Sequence, residues 1–430
     1  MRRRAVPILP PENDAPIDLG RREFLRAATF AAGAVLTGCA PPASGARVTL
    51  THWYHQYGEE GTEAAVRRYA QEYTRLHPDI AVQVVWVPGD YQTKLATALL
   101  TRGGPDVFEG QLTQAMVGAD QVAPLDDLFT PQVRADFSPR DLAANSVSGR
   151  VYGVKMLDDT GILYYRKSLL QAAGLTPPAT VNDLLAAAQK LTTPDRKGLF
   201  VGNDGGVAAL INILPWSAGS DFLVNNQIMF DNPRTVAAYE TLRALNASGA
   251  LLIGAPTDYW DPSAFTQGLT AMQWTGLWAY PAIRKALGPD VGGMAWPALD
   301  KGGQPATFLG GWSAMVNAQG AHVEEAKRYV KWLWVDNKQD QQDFCLSYGF
   351  HVPPRSSVAK TAAPLRAPVP AEAVKNLETY GHFTPPTWNA AMGTALTDAV
   401  TNILQKDRPA AAEVAAAARK CERELRRALE

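Results

Sequence analysis

Cysteine is scarce in this chain: only three occur among its 430 residues. Cys39 lies near the start, and Cys345 and Cys421 lie in separate helix-like segments. Neither a CxxC pair nor a spacing typical of a zinc site is present, which argues against a disulfide-rich scaffold or a zinc module. Cys345 and Cys421 could pair in an oxidising compartment, but their placement in separate segments favours two isolated thiols.

Long hydrophobic runs are also lacking. The most apolar stretch, Ala27 to Leu36, has about half of the roughly 20 residues that a membrane-spanning helix needs. It is preceded by Arg21-Arg22 and followed by Thr37-Gly38-Cys39, and this order indicates an export signal rather than a structural helix. "GRREFLR" resembles a twin-arginine signal, and "LTGC" resembles a bacterial lipobox, which implies cleavage before Cys39 and a lipid anchor on its sulfur.

The predicted signal covers residues 1–38, and residues 39–46 form a tether rich in Pro, Gly and Ser between the anchor and a folded body. The alternative is an ordinary N-terminal helix that ends near a cysteine. The polar, proline-broken first twenty residues are set aside from fold reasoning, and their length is compatible with a start codon placed upstream of the true one. We expect the body at the outer, extracellular or periplasmic face of the cytoplasmic membrane.

An excess of charge of either sign is missing as well. The formal net charge is -1, and no basic stripe stands out, so nucleic acid is not an expected partner. Aromatic residues are plentiful by contrast: the chain has 11 tryptophans, many of them in loop-like contexts rather than in periodic core segments. Their placement in loop-like segments suggests that some of them contact a ligand.

Signatures of catalysis are absent. No GxSxG, GxxxxGK[ST] or HExxH motif occurs. Asp158 and Asp159 suggest a glycosidase pair, but neighbours on an extended strand point to opposite faces and cannot easily flank one bond. His52 and His55 are better interpreted as structural or ligand-contacting residues than as metal ligands. We therefore expect a binding protein with neither a cofactor nor a metal, and not an enzyme.

The body is too long for one ordinary core, so two domains are expected. Its first part alternates strand and helix: "VTLTHW", a helix with Val66, Tyr69, Ala70 and Tyr73 on one face, "IAVQVVWV", a second helix, and "PDVFEG". This β-α-β-α-β order predicts a doubly wound α/β lobe that binds ligands beyond the carboxyl ends of its strands.

A second lobe is predicted to begin near "GVKMLDDTGILYYRKSLLQAAGL". Thr180 with Asp183 three residues later forms a capping box, followed by an apolar face of Leu184, Leu185, Ala188 and Leu191. Strand-like "TFLGGWSAMVN" leads into the long helix "HVEEAKRYVKWLW", and helical periodicity returns from Trp388 to Leu404 and from Pro409 onward.

Six segments in order resemble family 1 extracellular solute-binding proteins, the carbohydrate receptors of bacterial ABC importers. They are "LTHWY", "KLATALLTRGGPDVFEG", "ILYYRKSLLQAAGLTPPATVNDLLAAAQKLT", "AFTQGLTAMQWTGLWAYPAI", "FLGGWSAMVN...EEAKRYVKWLW" and "YGFHVPPRSSV". The resemblance implies two α/β lobes of the type II periplasmic-binding-protein kind, joined by crossover strands near Leu157–Gly161 and Phe308–Ser313, with a ligand cleft between them. It assigns residues 47–158 and 312–360 to lobe 1, and 159–311 and 361–430 to lobe 2.

A sugar site needs aromatic platforms for the C–H face of the ring, and carboxylate, amide or Arg groups for the hydroxyls. Residues of these types, together with a glycine that lets backbone approach a ligand, lie where the family makes its ligand contacts. The candidates are Trp53, Tyr54, His55, Asp106, Glu109, Asp158, Asp159, Asn203, Asp204, Trp216, Trp274, Trp278, Gly311, Trp312, Arg355 and Trp388. Each tryptophan has the alternative of a packing role, and Asp106 that of capping a turn.

The resemblance implies a monomeric lipoprotein that captures a sugar or oligosaccharide by lobe closure and docks on the permease subunits of an ABC importer. Its first loop, "HWYHQYGEE", lacks the acidic-basic pair of maltose-type receptors, so maltose is not carried over as the ligand. Two alternatives remain: a sensor or scaffold of the same fold, and a receptor for a polyol or a ligand such as glycerol-3-phosphate.

Overall fold

The computed structural model describes residues 46–101 and 103–429. The predicted export signal, the lipid-anchor residue Cys39 and nearly all of the tether lie outside the described residues. None of the described helices combines the length and the apolar character that crossing a membrane requires.

The described residues form fifteen strands and a larger set of helices. The strands are β1 (Val48–His55), β2 (Ile80–Val87), β3 (Val107–Gly110), β4 (Ser146–Val147), β5 (Arg150–Val151), β6 (Val154–Lys155), β7 (Gly161–Arg166), β8 (Lys197–Phe200), β9 (Leu223–Val224), β10 (Gln227–Ile228), β11 (Thr270–Gly276), β12 (Val291–Met294), β13 (Thr307–Phe308), β14 (Ser313–Val316) and β15 (Gly381–His382). The α-helices are Thr62–Leu76, Tyr91–Ala98, Gln114–Gly118, Pro131–Asp136, Pro139–Ala144, Lys167–Ala172, Val181–Leu191, Val207–Leu210, Ile213–Ser217, Pro233–Ala247, Ser263–Thr266, Tyr280–Leu287, Val323–Val330, Lys338–Leu346, Ser356–Ala359, Pro368–Tyr380, Ala390–Gln405 and Ala410–Leu429. Shorter 3-10 turns cover Asp126–Leu128, Leu277–Ala279 and Ala363–Arg366, and Lys331–Asp336 is a π-helical stretch.

The first lobe is built on a five-stranded sheet in the order β2-β1-β3-β14-β6. β1 pairs in parallel with β2 and β3, whereas β14 runs antiparallel to β3 and β6. The helix Thr62–Leu76 buries Val66, Tyr69, Ala70 and Tyr73, the face predicted from their spacing. The β-α-β-α-β start of the chain is therefore confirmed.

The second lobe is built on a four-stranded sheet in the order β12-β7-β11-β8. Only β8 and β11 are parallel; β7 runs antiparallel to both of its neighbours. The helix Val181–Leu191 begins with the predicted capping box, in which Thr180 and Asp183 exchange side-chain to backbone hydrogen bonds, and it buries Leu184 and Leu191 on its apolar face. Two antiparallel helices near the C-terminus, Ala390–Gln405 and Ala410–Leu429, complete this core.

The chain passes from β6 of the first sheet to β7 of the second, and it returns to the first sheet from β13, which pairs with β15, to β14. Asp159 and Gly310 pair on these two crossovers by an antiparallel bridge. Gly311 has a φ of 97°, and a Cβ there would lie 2.3 Å from the Leu157 carbonyl oxygen, so only glycine lets the two crossovers approach this closely. The strand-like segment "TFLGGWSAMVN" thus forms two short strands, β13 and β14, and the irregular stretch between them lies at the crossover predicted near Phe308–Ser313.

Both cysteines in the described residues are free and buried. Cys345 lies in the core of the first lobe and Cys421 in that of the second, so the prediction of two isolated thiols is confirmed. The exact lobe boundaries given above remain a prediction.

Candidate functional site

A cavity of about 420 Å³ lies between the two lobes at the crossovers. The first lobe contributes Gln111 and Asn145, the second contributes Asn212 and Trp278, and both crossovers line its base. Five of the residues predicted from the sequence line this cavity: Asp159, Trp216, Trp278, Gly311 and Trp312. The structure thus brings together tryptophans from both lobes around one carboxylate.

Trp216 is held from two sides. Its ring stacks on that of His382 with a centroid distance of 5.0 Å and an interplanar angle of 12°. Its Nε1 donates to Oδ1 of Asp221 at 3.1 Å. Burial lowers the pKa of His382, which keeps that imidazole neutral near pH 7. Trp216 is only 1% exposed and lines the cavity.

Trp278 lies over the backbone of Gly276, where a Cβ would stand 1.8 Å from Cζ3 of the indole. Its Nε1 donates to the carbonyl oxygen of Trp260 at 3.0 Å, and its ring lies 6.3 Å from that of Phe308. The indole is therefore fixed by a glycine below it and by a loop carbonyl at its polar edge.

Trp312 stands against aromatic and charged residues of the first lobe. His55 stacks on it at 4.3 Å with an interplanar angle of 27°, and Tyr91 meets it edge-on at 5.9 Å. Behind His55, the buried Glu109 accepts hydrogen bonds from the His55 backbone and contacts its ring, and it accepts a further bond from the Tyr57 hydroxyl at 2.7 Å. His55 and Glu109 thus support the Trp312 platform from behind.

Asp159 supplies the cavity's carboxylate. Its Oδ1 accepts a hydrogen bond of 2.6 Å from Nδ1 of His351, whose Nε2 lies 3.6 Å from Glu59. Burial alone lowers the pKa of His351, but the two carboxylates outweigh burial and raise the pKa to about 10. His351 is therefore a cation at neutral pH that orients Asp159.

Lys155 supplies the cavity's ammonium group, but that group is already engaged. Its Nζ donates to the Gly310 carbonyl oxygen at 2.7 Å and lies 3.5 Å from Oδ1 of Asp158. Asp158 does not line the cavity and lies beside Lys155, whereas Asp159 lines the cavity and bonds His351, which agrees with the expectation that neighbours on extended backbone face opposite sides. Burial raises the pKa of Asp158, with the nearby Asp141 adding to the rise and Lys155 opposing it.

The charged side chains that line the cavity thus already contact other groups of the protein. Asp159 is paired with His351, and Lys155 with Asp158 and a carbonyl. Flat apolar faces beside amide and carboxylate groups suit a ligand that carries C–H faces and hydroxyls.

Three predicted polar residues serve the protein itself. Oδ2 of Asp106 accepts hydrogen bonds from the Thr51 backbone and hydroxyl at 2.8 and 3.0 Å, which joins the start of β3 to β1. Asn203 bonds the loop 254–257 through both ends of its amide. Asp204 accepts from the backbone of residues 206–208 and caps the helix Val207–Leu210. None of the three lines the cavity.

The other candidates away from the cavity are packing residues. Tyr54 and Trp274 are fully buried in the cores of the first and second lobe, and Trp53 packs against the apolar cluster around Phe108. Trp388 meets the ring of Phe222 at 5.3 Å.

Arg355 is 3% exposed and bound to Asp136 at 2.9 Å and to the Val335 carbonyl at 2.6 Å. It is therefore committed to an internal ion pair and not available to a phosphate ligand. His52, weighed as a metal ligand, is buried beside Tyr329.

Several cavity residues escaped the sequence interpretation. They include Gln111, Asn145, Lys155, Asn212, Tyr259, Phe308, His382 and Thr384. Tyr259 had a usable signal, because "TDYWDPS" is an aromatic-bearing turn sequence directly before the segment "AFTQGLTAMQWTGLWAY". The amide residues carried no distinguishing pattern, since an Asn side chain that binds a ligand has the same chemistry as one that bonds the backbone of a turn.

Two residues of the first lobe, Gln114 and Arg140, donate hydrogen bonds to backbone carbonyls of the second lobe. The backbone nitrogen of Gln114 donates to the Pro386 carbonyl at 2.8 Å, and its amide donates to the Ala428 carbonyl at 2.7 Å. Arg140 donates to the carbonyls of Leu377 and Gly381 at 3.3 and 3.0 Å. These contacts stabilise the observed approach of the two lobes.

Comparison with known proteins agrees with this architecture. The sequence profile of the family described as "Bacterial extracellular solute-binding protein" matches residues 58–334. A "Probable ABC transporter-binding protein" of Deinococcus radiodurans is 32% identical over 233 residues, which cover 50% of this chain and 55% of that relative. The "Arabinooligosaccharide-binding protein" of Bacillus subtilis is 24% identical over 320 residues, covering 69% of this chain and 72% of the relative.

Among solved structures, an ABC transporter solute-binding protein from Thermotoga lettingae bound with alpha-D-tagatose is similar, with a TM-score of 0.75 and 20% identity. The match covers 88% of this chain and 99% of that one. This likeness confirms the predicted fold class of two α/β lobes with a cleft between them. The matched family and these matched proteins are binding proteins.

Proposed function

We propose that this chain, which belongs to the bacterial extracellular solute-binding protein family, captures a neutral sugar or short oligosaccharide and delivers it to the membrane permease of an ABC importer. The observation that carries the proposal is the cavity itself, with Trp216, Trp278 and Trp312 contributed by both lobes and polar groups between them. Aromatic faces suit the C–H surface of a sugar ring, and the polar groups suit its hydroxyls.

Charge pairing favours an uncharged ligand. Lys155, whose ammonium group lines the cavity, already donates to the Gly310 carbonyl and lies 3.5 Å from Asp158, so a phosphate entering the cavity would compete with these contacts. Removing one partner of a buried ion pair is costly. A neutral sugar avoids that cost, which ranks it above glycerol-3-phosphate.

Capture would proceed by lobe closure. Trp312 belongs to the first lobe and Trp216 and Trp278 to the second, so only the closed form lets all three surround one ligand. A ligand that contacts both walls binds the closed form better and shifts the population toward it. Small-angle scattering should show a smaller radius of gyration when the ligand saturates the protein; an unchanged radius would contradict closure.

The binding proposal is tested by calorimetry and thermal unfolding with neutral mono- and oligosaccharides and with sn-glycerol-3-phosphate. At about 100 times its Kd, a bound ligand stabilises the folded protein by about 2.7 kcal/mol. Trp312→Ala should weaken binding by at least about tenfold, because a buried aromatic anchor is lost.

Trp332→Ala is the matched control, since this half-buried indole packs on Tyr73 of the first lobe and does not line the cavity. It should leave the affinity unchanged. Binding of glycerol-3-phosphate with no response to any neutral saccharide would overturn the proposed ligand class. Equal losses in both variants would show that Trp312 acts through folding rather than through ligand contact.

Delivery to a permease separates an import receptor from a sensor or scaffold of the same fold. Uptake of the identified sugar by cells should be lost when the gene for this chain is deleted. Retained uptake in the deletion strain would favour the sensor or scaffold.

Membrane attachment is proposed through Cys39. Radioactive palmitate should label the protein in bacterial cells, and Cys39→Ser should abolish the labelling. Cys345→Ser is the matched control and should leave it intact. Labelling that persists in Cys39→Ser would contradict the anchor.

A further inference from the structure

We propose that Trp260 is an outer platform at the rim of the cavity, which binds a sugar unit of any saccharide too long to be enclosed. This inference rests on the proposed function, because it extends the same binding site. It assigns Trp260 a role in discriminating ligands by length.

The exposure of Trp260 contrasts with that of other tryptophans in the chain. Its side chain is 55% exposed, whereas Trp216, Trp274, Trp296 and Trp334 are almost completely buried. Single exposed apolar residues are common on protein surfaces, so exposure by itself carries no argument. Trp260 is distinguished by its position beside the cavity and by the hydrogen bonds that hold its loop.

Its position joins it to the cavity directly. The preceding residue, Tyr259, lines the cavity, and the backbone carbonyl of Trp260 accepts the hydrogen bond from Nε1 of the cavity residue Trp278. The cavity of about 420 Å³ is near the small end of the range for small-molecule sites, about 300–1,000 Å³. A ligand that outgrows it on this side meets the loop that carries Trp260.

Hydrogen bonds hold the backbone of the loop that carries Trp260 in place. Upstream of Trp260, Asn203 holds the segment 254–257 by four hydrogen bonds, and Oδ1 of Asp258 accepts from the backbone of Asn203 and Tyr259. On either side of Trp260, the buried Gln273 donates to the carbonyls of Tyr259 and Asp261 at 3.1 and 2.8 Å.

Because the loop backbone is already held by hydrogen bonds, a ligand that stacks on Trp260 has to immobilise only the side-chain torsions of the indole and not the loop. Preorganisation of this kind improves affinity by lowering the entropy cost of binding. Stacking on Trp260 should therefore contribute to the affinity of longer ligands while leaving shorter ones unaffected.

The experiment measures how Trp260→Ala changes the affinity for saccharides of different lengths. Trp260→Ala removes the indole but keeps the carbonyl that holds Trp278, so the inner site stays intact. Calorimetry is performed with saccharides of two, three and four units from the arabinan, mannan and maltose series. In the series that the unaltered protein binds, Trp260→Ala should weaken binding of the longer members by about 3- to 10-fold and leave the shortest bound member within about 2-fold.

Ile253→Ala is the matched control, because Ile253 is also 55% exposed and lies in the same connection but leaves the rim indole in place. It should not change any affinity. Trp260→Phe keeps an aromatic face and should retain most of the affinity for long ligands. The melting temperature of Trp260→Ala shows whether that variant folds well. If it folds poorly, Trp260→Phe replaces it in the comparison.

The outcomes separate this inference from the proposed function. Equal affinity of Trp260→Ala and the unaltered protein at every length overturns the platform alone, as does a uniform loss at all lengths. Failure of the unaltered protein to bind any saccharide overturns the proposed function, and the platform with it.

Discussion

His351 should stabilise the protein strongly at neutral pH through its contacts with Asp159 and Glu59. In His351→Gln, two largely buried carboxylates lose the cation between them. A rise in the pKa of His351 from 6.5 to about 10 corresponds to about 5 kcal/mol at 1.36 kcal/mol for each pH unit. In other proteins, removing one partner of a buried ion pair lowers the free energy of unfolding by about 3–5 kcal/mol. We therefore expect the variant to lose about 3–5 kcal/mol of unfolding free energy at pH 6.

The pH dependence follows from the direction of the shift. Below about pH 6.5 the folded and unfolded states both hold the proton, and the stabilisation is complete. Between pH 6.5 and about 10, the unfolded chain releases a proton that the folded protein keeps. The contribution of His351 then falls by about 1.4 kcal/mol for each pH unit. The difference between the two proteins should shrink by about 3 kcal/mol from pH 6 to pH 9.

Urea unfolding followed by tryptophan fluorescence at pH 6.0, 7.5 and 9.0 measures these differences, and comparison of the two proteins cancels most other titrating groups. His77→Gln, at an exposed histidine, is the control and should stay within about 0.5 kcal/mol of the unaltered protein. Ligand affinity should also fall in His351→Gln, because Asp159 loses the partner that orients it. A stability difference that is the same at pH 6 and pH 9 would refute the reasoning, since His351 would then not be a cation held by its carboxylates.

Three further perturbations test other parts of the structure. Gln114→Ala removes the side-chain bond that joins the first lobe to Ala428 of the second, and it should weaken ligand binding by about 2- to 10-fold, mainly through faster release in stopped-flow measurements. An unchanged release rate would contradict this role. Gly198→Ala places a Cβ 1.9 Å from a helix carbonyl and should cost at least about 1–3 kcal/mol in urea unfolding, whereas Gly118→Ala, with open space around it, should be neutral or slightly stabilising. Burial opposes ionisation of Asp136, but hydrogen bonds from Ser357 and Arg355 hold its pKa at about 2, so its contribution is present above pH 3.8 and is lost as the pH falls through 2. Asp136→Asn should therefore destabilise the protein at pH 7, with a difference that narrows in acid unfolding toward pH 2.

The fold could be predicted from the sequence to a large extent because its signals are local. The apolar face of the helix Thr62–Leu76 repeats every three to four residues, and the Thr180–Asp183 capping box spans only four residues. The crossover between β13 and β14 was expected from the family resemblance, but the contact that shapes it is not local in sequence. Gly311 breaks the strand where the first crossover presses against it, and that neighbour, Leu157, is far away in sequence.

The residue types of the candidate site could be predicted from the sequence. Which of those residues line the cavity, and which support the lining residues or the backbone, could not. Asn203 and Asp204, in "VGNDGG", have the same chemistry whether they bind a ligand or the backbone of a turn. His55 and Glu109 support Trp312, a residue more than 200 positions away, so their place behind the indole depends on how β1, β3 and β14 pair. The different surroundings of Asp158 and Asp159, in contrast, could be expected from the geometry of extended backbone alone.

These supporting residues indicate how the site could combine affinity with motion. Trp312 is held within the first lobe by His55 and Glu109, and Trp278 is held within the second by the carbonyl of Trp260. Each platform is therefore rigid relative to its own lobe, so the freedom left to the site is the movement of one lobe against the other. A ligand that bridges the platforms then loses little side-chain entropy and stabilises the closed arrangement directly. It follows that His55→Ala should lower affinity by loosening Trp312 without removing a ligand contact, an effect that calorimetry would register as a larger entropy penalty on binding.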